Sequence, residues 1–260
     1  MTPTAKALIL ALLKGLALPF SLIPASLRVG FIKGLIATDS RIGRPDGALR
    51  RQFAVLDMVE RTVAERATAY GGGEHPKHRL MRYHDFFVGN IPAGSRVLDV
   101  GCGYGAVARS VAGRIPGVTV VGIDFDETRI IQAQATDNPP NLRFVLGDAL
   151  VDLPEGPWTV VMLSNVLEHI EKRVDFLHRL IAVTGAKTVL IRVPLFERHW
   201  HLPMRKELGI GYFSDTTHYI EHTLDEFAAE TAAAGLEIRK QEIRWGEIWS
   251  VCAPQAKVGN

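Results

Sequence analysis

Residues 97–105 combine the side-chain types and spacing that can bind a nucleoside-containing ligand. An apolar run ends in Asp99, Gly101, Gly103 and Gly105, with one residue between each of these positions. Glycine allows backbone angles that a tight turn needs, and it lets a ligand approach the backbone closely. The residues that follow have a helical pattern, so amide groups at a helix N-terminus would face the ligand. The segment therefore predicts a strand, a glycine turn and a helix that form a binding site.

Two further carboxylates, Asp124 and Asp148, follow apolar runs typical of buried strands. Asp124 lies 23 residues after Gly101, a distance at which an acidic side chain can accept hydrogen bonds from both ribose hydroxyls. Strand ends of an open parallel sheet meet at one edge, so Asp99, Asp124 and Asp148 are expected to converge there. Phe125, beside Asp124, is expected to contact the base of the nucleoside.

The order of these features resembles the class I methyltransferases that use S-adenosylmethionine (SAM), whose first motif is an acidic residue followed by Gly-x-Gly-x-Gly. The resemblance implies that the glycine loop holds the methionine portion of the cofactor. The residues implied to surround its amino and carboxylate groups are Asp99, Gly101, Gly103 and Gly105. The residues assigned to the adenosine portion are Asp124 at the ribose, and Phe125, Asp148 and Ala149 at the adenine.

Residues 165–170 look like the fourth motif of many small-molecule methyltransferases, which faces the transferable methyl group. Some relatives carry Glu-x-x-Glu-His there and bind a divalent metal, whereas this sequence has Asn165 in place of the first Glu. In a helix, Asn165, Glu168 and His169 would share one face at spacing i, i+3 and i+4. The substitution removes one anionic ligand and weakens the case for a metal site. We therefore assign no metal ligands and place Asn165 at the cofactor, with a divalent metal near Glu168 and His169 as the open alternative.

A hydroxyl acceptor must lose its proton during methyl transfer, and a histidine that titrates near neutral pH is suited to remove it. His169 is the first candidate for this role, followed by His218 and His199. An equally open alternative is that these histidines simply line or cap the pocket.

A long polar and aromatic segment, residues 194–222, separates two predicted core elements. A connection of this length is unusual unless it has a function, so we expect it to cover the acceptor. Residues 218–222 also match the H-x-x-E-H pattern of one class of zinc hydrolases. Thr223 and Glu226 form a capping box, which places that pattern before a helix rather than within one and argues against a zinc site.

The elements from residue 90 onward predict an α/β protein. The resemblance implies a Rossmann-like class I methyltransferase fold with a seven-stranded, mostly parallel sheet whose last strand is antiparallel. Residues 90–260 would form the SAM-binding domain, with residues 194–222 as an insertion over the acceptor. Residues 1–89 would form an N-terminal helical extension and lid. The side chains expected to face the ligand from this lid are Arg79, Tyr83 or His84, and a solvated surface helix is the alternative.

Residues 1–38 contain four basic residues and no Asp or Glu. Their longest uncharged run, residues 15–27, includes two prolines and is too short to span a bilayer, which takes roughly 20 apolar residues. We expect two short apolar helices that either pack on the globular domain or lie on an anionic membrane surface. The stripe that would pack on the domain consists of Leu8, Ile9, Leu12, Leu13 and Leu16. A linker at residues 41–47 and a helix at residues 48–70 follow.

The composition is that of an ordinary globular protein, with 47% apolar and 22% charged residues in a chain of 260 residues. A net charge of +2 argues against a nucleic-acid substrate. Cys102 and Cys252 are the only cysteines, which favours a reducing compartment over a disulfide framework. We expect a cytoplasmic protein, with peripheral contact to the inner face of the membrane as an open possibility.

The sequence thus predicts an enzyme, a SAM-dependent methyltransferase that acts on a small-molecule or lipid-linked acceptor, at oxygen. One alternative is an NAD-dependent oxidoreductase, because Gly101, Gly103 and Ala106 satisfy the G-x-G-x-x-A fingerprint. Asp99 and Asp148 fit that alternative poorly. A second alternative is a nucleotide-cofactor-binding protein without catalysis.

Overall fold

A computed structural model of the chain describes residue 15 and residues 19–256. The predicted apolar stripe between Leu8 and Leu16 lies outside these residues. Seven strands form one sheet in the described part of the chain. They are β1 (Arg96–Val100), β2 (Thr119–Asp124), β3 (Leu142–Leu146), β4 (Val160–Ser164), β5 (Thr188–Pro194), β6 (Leu236–Arg244) and β7 (Glu247–Pro254).

The strand order in the sheet is β3-β2-β1-β4-β5-β7-β6. Strands β1 to β5 run parallel to one another, whereas β7 is antiparallel to both β5 and β6. The short turn at residues 245–246 joins β6 to β7 as the predicted hairpin. The predicted Rossmann-like methyltransferase fold, with its mostly parallel sheet, is confirmed.

Eight α-helices that lie wholly within the described residues connect or precede these strands. They are α1 (Ala25–Asp39), α2 (Pro45–Tyr70), α3 (His84–Gly89), α4 (Ala106–Arg114), α5 (Glu127–Ala135), α6 (Arg173–Thr184), α7 (His201–Glu207) and α8 (Leu224–Ala233). The predicted capping box at the start of α8 is present, with both the Thr223 and Glu226 side chains bonded to backbone amides. The predicted linker at residues 41–47 was wrong in its second half, because α2 begins at Pro45, whose fixed φ suits a first helical position.

Two apolar clusters cover the two faces of the sheet, as expected when helices pack on both sides of parallel strands. Leu98 and Val100 of β1 belong to one cluster, while Val97 belongs to the other. All of these side chains are buried. Alternate residues of a strand point to opposite faces, and the strand is therefore fixed in position from both sides.

The chain divides into two compact units, one up to residue 67 and one from Thr68 onward. The first unit contains α1 and most of α2, and α1 has no buried residue. The second unit contains the sheet and also residues 68–89, which the sequence had grouped with the extension. None of the helices in the described residues has both the length and the apolar character needed to cross a membrane.

The insertion at residues 194–222 is a closed loop whose two ends meet. Leu195 and His222 form an isolated β-bridge, and the amide of Phe196 donates a hydrogen bond to the carbonyl of His222 at 2.8 Å. Near its end, the amide of Tyr219 donates to the carbonyl of Glu168 at 2.8 Å. This bond attaches the insertion to the turn that follows β4.

Candidate active site at the carboxyl edge of the sheet

A cavity of about 530 Å³ lies at the carboxyl ends of β1, β4 and β5. The segment before β1 and the insertion after β5 also contribute to its wall. The sequence-predicted residues that line it are Asp99, Gly101, Asn165, His169 and His218. The cavity therefore joins the glycine turn to two of the three candidate histidines.

The three glycines of the turn all have left-handed backbone conformations, with φ of 66°, 53° and 78° at Gly101, Gly103 and Gly105. A Cβ atom at Gly105 would lie 2.2 Å from the ring of Phe144, and one at Gly101 would lie 2.8 Å from Val166. A Cβ atom at Gly103 would meet no described atom within 4 Å. Gly101 and Gly105 thus permit close packing, whereas Gly103 faces open space.

Asp124, at the end of β2, is buried and accepts two hydrogen bonds from backbone amides. Its Oδ2 accepts from Gly103 at 2.8 Å, and its Oδ1 accepts from Asp126 at 2.9 Å. The carboxylate therefore ties the glycine turn to the neighbouring strand. Each oxygen keeps a second lone pair, which can accept a bond from a ligand.

Asp99, at the fourth position of β1, is a buried carboxyl group on the cavity wall. Burial, and to a smaller extent the charge of Asp124, raise its pKa to about 8, while a hydrogen bond from the backbone amide of Ala108 acts to lower it. Two carboxyl groups so close together repel each other when both are ionised. A ligand with a positive charge near Asp99 would therefore favour the ionised form.

The residues predicted to contact the adenine lie outside the cavity wall, at the adjoining strand ends. The register of β2 and β3 pairs Asp124 with Leu146, and the amide of Gly147 donates to the carbonyl of Asp124 at 3.0 Å. Asp148 Oδ1 accepts from the amide of Leu150 at 2.8 Å. Phe125 is 73% exposed, and Ala149 is half-buried against the core. These residues continue the same edge of the sheet beyond the cavity.

Of the three candidate histidines, His169 and His218 face each other, with their ring centroids 4.6 Å apart in an edge-on arrangement. His199 does not line the cavity. Its ring packs against Trp200 and His201, and its Nδ1 accepts from the amide of His201 at 3.2 Å. The structure thus brings two of the three together and leaves His199 on the exposed part of the insertion.

The turn after β4 contains buried polar atoms without partners. It forms a three-residue 3-10 turn, Leu167–His169, and Asn165 has a left-handed backbone conformation with φ of 58°. Asn165, Glu168 and His169 therefore do not share one face of an α-helix. Both carboxylate oxygens of Glu168 and the Oδ1 of Asn165 are buried without a hydrogen-bond partner among the described residues. Burial raises the pKa of Glu168 to about 7.

Both cavity histidines are oriented through their Nδ1 atoms. His169 Nδ1 lies 2.8 Å from the hydroxyl of Thr217, and His218 Nδ1 lies 3.2 Å from Glu221 Oε1. Burial acts to raise the pKa of Glu221, but hydrogen bonds from His218, Arg198 and Ser214 together lower it to about 2. An ionised Glu221 accepts a hydrogen bond from the Nδ1–H of His218, so Nε2 of that ring carries no proton when the ring is neutral.

Sequence reasoning missed a buried basic side chain of the cavity wall, Arg192 of β5. Its guanidinium forms a buried ion pair with Glu247 at 2.6 Å and lies 3.9 Å from the ring centroid of Tyr83. The available signal was an arginine within the apolar run of a central strand, where a charge is rare unless it is paired. Of the three predicted lid residues, Tyr83 lines the cavity, whereas Arg79 and His84 do not.

The sequence matches the family described as methyltransferase domain over residues 73–241. An uncharacterized methyltransferase of Mycobacterium tuberculosis is 32% identical over 136 residues, which cover 50% of this chain and 68% of the relative. The 2-methyl-6-phytyl-1,4-hydroquinone methyltransferase of Synechocystis is 27% identical over 159 residues, which cover 56% of this chain and 48% of the relative.

Solved structures with similar folds have lower sequence identity. The magnesium protoporphyrin IX methyltransferase of Synechocystis, solved with bound SAH, has a TM-score of 0.53 at 20% identity, over 67% of this chain and 83% of that chain. A TehB-like SAM-dependent methyltransferase from Corynebacterium glutamicum has a TM-score of 0.51 at 18% identity, over 78% of this chain and 100% of that chain. At these identities the likeness concerns the fold.

Proposed function

Because the chain belongs to the class I SAM-dependent methyltransferases, we propose that it transfers the methyl group to an oxygen atom of a small-molecule or lipid-linked acceptor. The protein is an enzyme, and SAM is the methyl donor that its family implies. The comparisons do not favour an NAD-dependent oxidoreductase or a binding protein without catalysis. The observation that carries the acceptor proposal is one cavity that joins the glycine turn to His169 and His218.

The proposed cofactor site follows the carboxyl edge of the sheet. The methionine portion would lie against Gly101, Gly103 and Gly105, with its ammonium group near Asp99, whose raised pKa indicates that a cation is favourable there. Asp124 would accept the ribose hydroxyls with its remaining lone pairs. The residues proposed for the rest of the cofactor are Phe125, Asp148 and Ala149 at the adenine and Asn165 near the transferable methyl group.

In the proposed reaction, an acceptor oxygen attacks the methyl carbon in line with the bond to sulfur. The carbon–sulfur electrons remain on sulfur, and the hydroxyl proton leaves through the cluster of His169 and His218. The protein contributes mainly by holding the two reactants in this geometry. The hydrogen bond between Tyr219 and Glu168 supports a role for the insertion, because it closes the cavity wall beside the two histidines.

Two observations support a small or lipid-linked acceptor over a nucleic acid. The cavity of about 530 Å³ falls within the range of small-molecule sites, about 300–1,000 Å³. The net charge of +2 supplies little attraction for a polyanion. One relative is named for methylating 2-methyl-6-phytyl-1,4-hydroquinone, a hydroquinone with a phytyl chain, which supports including lipid-linked acceptors.

Binding calorimetry followed by product analysis tests this proposal. We expect the full-length protein to bind S-adenosylhomocysteine and to show no comparable affinity for NAD. Incubation with SAM and panels of phenols, hydroxy acids and lipid-linked quinols should then give an O-methylated product, identified by mass spectrometry. Preferential binding of NAD would overturn the methyltransferase assignment, and methylation only at nitrogen or carbon would overturn the choice of oxygen.

Gly103→Val is expected to raise the dissociation constant for S-adenosylhomocysteine at least tenfold, because the new side chain enters the open space above the turn. Gly185→Val is the matched control, since Gly185 has a similar φ of 62° and open surroundings but ends α6, away from the cavity. Both variants should lose similar stability in thermal unfolding, and calorimetry should find weakened binding only for Gly103→Val. Equal affinity in the two variants would remove Gly103 from the cofactor site.

Residues 1–38 are predicted to bind anionic vesicles, since basic charges and apolar side chains act together at a membrane surface. Leu27, Phe31 and Leu35 recur once per turn of α1 and are 64%, 58% and 56% exposed. In co-sedimentation with vesicles of phosphatidylglycerol and phosphatidylcholine, we expect salt-sensitive binding that is lost when the chain starts at Asp39.

Two variants of the full-length chain test whether the exposed apolar side chains of α1 carry the vesicle binding. The double substitution Phe31→Asp with Leu35→Asp should abolish vesicle binding. Val151→Asp, at a side chain that is 68% exposed in the other unit, should leave it intact. Absence of vesicle binding by the unaltered chain, together with an unstable truncated protein, would instead support packing of the segment on the globular domain.

A further inference from the structure

We propose that Glu168, His169 and His218 bind one divalent transition-metal ion in the wall of the cavity. One potential ligand atom from each of these residues lies within 4.8 Å of the other two. The catalytic role of this ion rests on the proposed function, because the ion would bind the acceptor oxygen. The binding of the ion itself is independent of the acceptor.

Glu168 supplies the strongest argument for a cation at this position. Its side chain is fully buried, and neither carboxylate oxygen has a hydrogen-bond partner of good geometry among the described residues. Weaker contacts with its own backbone amide and the Asn165 side chain lower the pKa of Glu168 without offsetting the effect of burial. A buried carboxylate is stable only when it is paired, hydrogen-bonded, protonated or bound to a metal. The Oδ1 of Asn165, in the same turn, is also buried without a partner. The turn thus contains three buried oxygen atoms with unused bonding capacity.

The two histidines have the outer contacts that metal-ligating histidines usually have. A ligating imidazole normally donates its other N–H to a carboxylate, a hydroxyl or a carbonyl, which fixes the ring and its tautomer. His218 has such a contact with Glu221, and His169 has one with Thr217. Glu221 is itself fixed by Arg198 and Ser214. Both rings are therefore held by Nδ1, which leaves each Nε2 as the free ligand atom.

The set of donor atoms favours a transition metal over Mg²⁺. Two imidazoles and one carboxylate suit ions such as Zn²⁺ or Fe²⁺, whereas Mg²⁺ prefers an environment made only of oxygen. Three protein ligands also leave a coordination position open toward the cavity.

At that open position the ion would bind the hydroxyl oxygen of the acceptor and lower its pKa. The proton would pass to solvent, the oxygen would form its bond to the methyl carbon, and the carbon–sulfur electrons would remain on sulfur. His169 and His218 would then act on the acceptor proton through the ion that they hold.

Calorimetry on the full-length protein, free of any histidine tag and treated with chelator, tests metal binding without donor or acceptor. We expect one equivalent of Zn²⁺ to bind, and Mg²⁺ to bind at least tenfold more weakly. Glu168→Gln and His218→Ala should each weaken Zn²⁺ binding at least tenfold. Glu221→Gln, which removes the charge that holds His218 and leaves all three ligands in place, should weaken it about tenfold. Co²⁺ should give a visible d–d absorption spectrum that both direct variants lose.

Two other histidines serve as controls in the same titration. His199→Ala removes an exposed ring outside the cavity, and His84→Ala removes a ring that lies 3.3 Å from His78 in a separate group. Both variants should bind Zn²⁺ as the unaltered chain does. Retained affinity for S-adenosylhomocysteine will show that each variant is folded. If Glu168→Gln does not fold, His218→Ala decides the question.

Three results would overturn the metal site. They are no Zn²⁺ binding by the unaltered chain, Zn²⁺ affinity in both Glu168→Gln and His218→Ala equal to that of the unaltered chain, or loss of Zn²⁺ binding in His84→Ala alone. Failure of the acceptor proposal would have a different signature. In that case Zn²⁺ would still bind and depend on Glu168, while no O-methylated product would form.

Discussion

The substitution Asp124→Ala is expected to weaken the binding of S-adenosylhomocysteine about 100-fold or more, because hydrogen bonds to a charged group contribute about 1.5–3 kcal/mol each. The carboxylate holds the amides of Gly103 and Asp126, and we propose that it also accepts both ribose hydroxyls. Its loss would release the glycine turn and leave the ribose without its acceptor. Isothermal calorimetry on the purified variant measures this change directly.

Asp126→Ala is the matched control for that experiment. Asp126 lies two residues away and caps α5, where its side chain accepts from the amide of Arg129 at 3.1 Å. Loss of this cap should cost about 1 kcal/mol of stability, visible in thermal unfolding, and leave the dissociation constant unchanged. An unchanged dissociation constant in Asp124→Ala would remove that residue from the cofactor site.

His169→Ala is expected to lower turnover about 100-fold to 10,000-fold, the range that a residue handling a proton contributes. Affinity for S-adenosylhomocysteine should stay within about threefold, because the ring acts on the acceptor and not on the adenosyl group. His218→Ala should behave similarly, since the two rings face the same part of the cavity. Steady-state kinetics with an identified acceptor, combined with calorimetry, separates the two quantities.

His199→Ala is the control for this pair, because His199 was also a candidate base from the sequence but lies outside the cavity. Its turnover should match that of the unaltered enzyme. Normal turnover in His169→Ala would reduce that residue to part of the cavity wall. A defect in His199→Ala as large as that in His169→Ala would show that the insertion moves during the reaction.

Several features of the fold could be predicted because their causes are local in sequence. The apolar run before Asp99 and the three glycines after it specify a buried strand and a tight turn within nine residues. The capping box before α8 also depends on side chains only three residues apart. Alternation of such strands and helices leaves few topologies, of which the parallel sheet with a final hairpin is one.

Local structure was harder to predict at a proline and at a residue with an unusual backbone angle. Helix α2 starts at Pro45, inside the expected linker, because the ring of proline is compatible with a first turn. Asn165, Glu168 and His169 would have shared one face only in a helix, and the structure has a single 3-10 turn there, with Asn165 in a left-handed conformation. Periodicity alone does not reveal such a change of direction.

By itself the sequence determined the fold class, the glycine turn and the acidic residues that end neighbouring strands, because each depends on a short run of residues. Only the tertiary structure decided which distant side chains share the cavity. His169 contacts Thr217, 48 residues further along the chain, and the insertion closes on itself through Leu195 and His222. These long-range contacts bring His218 beside Glu168 and leave His199 outside. Packing between segments far apart in the chain sets such distances, and no local spacing records them.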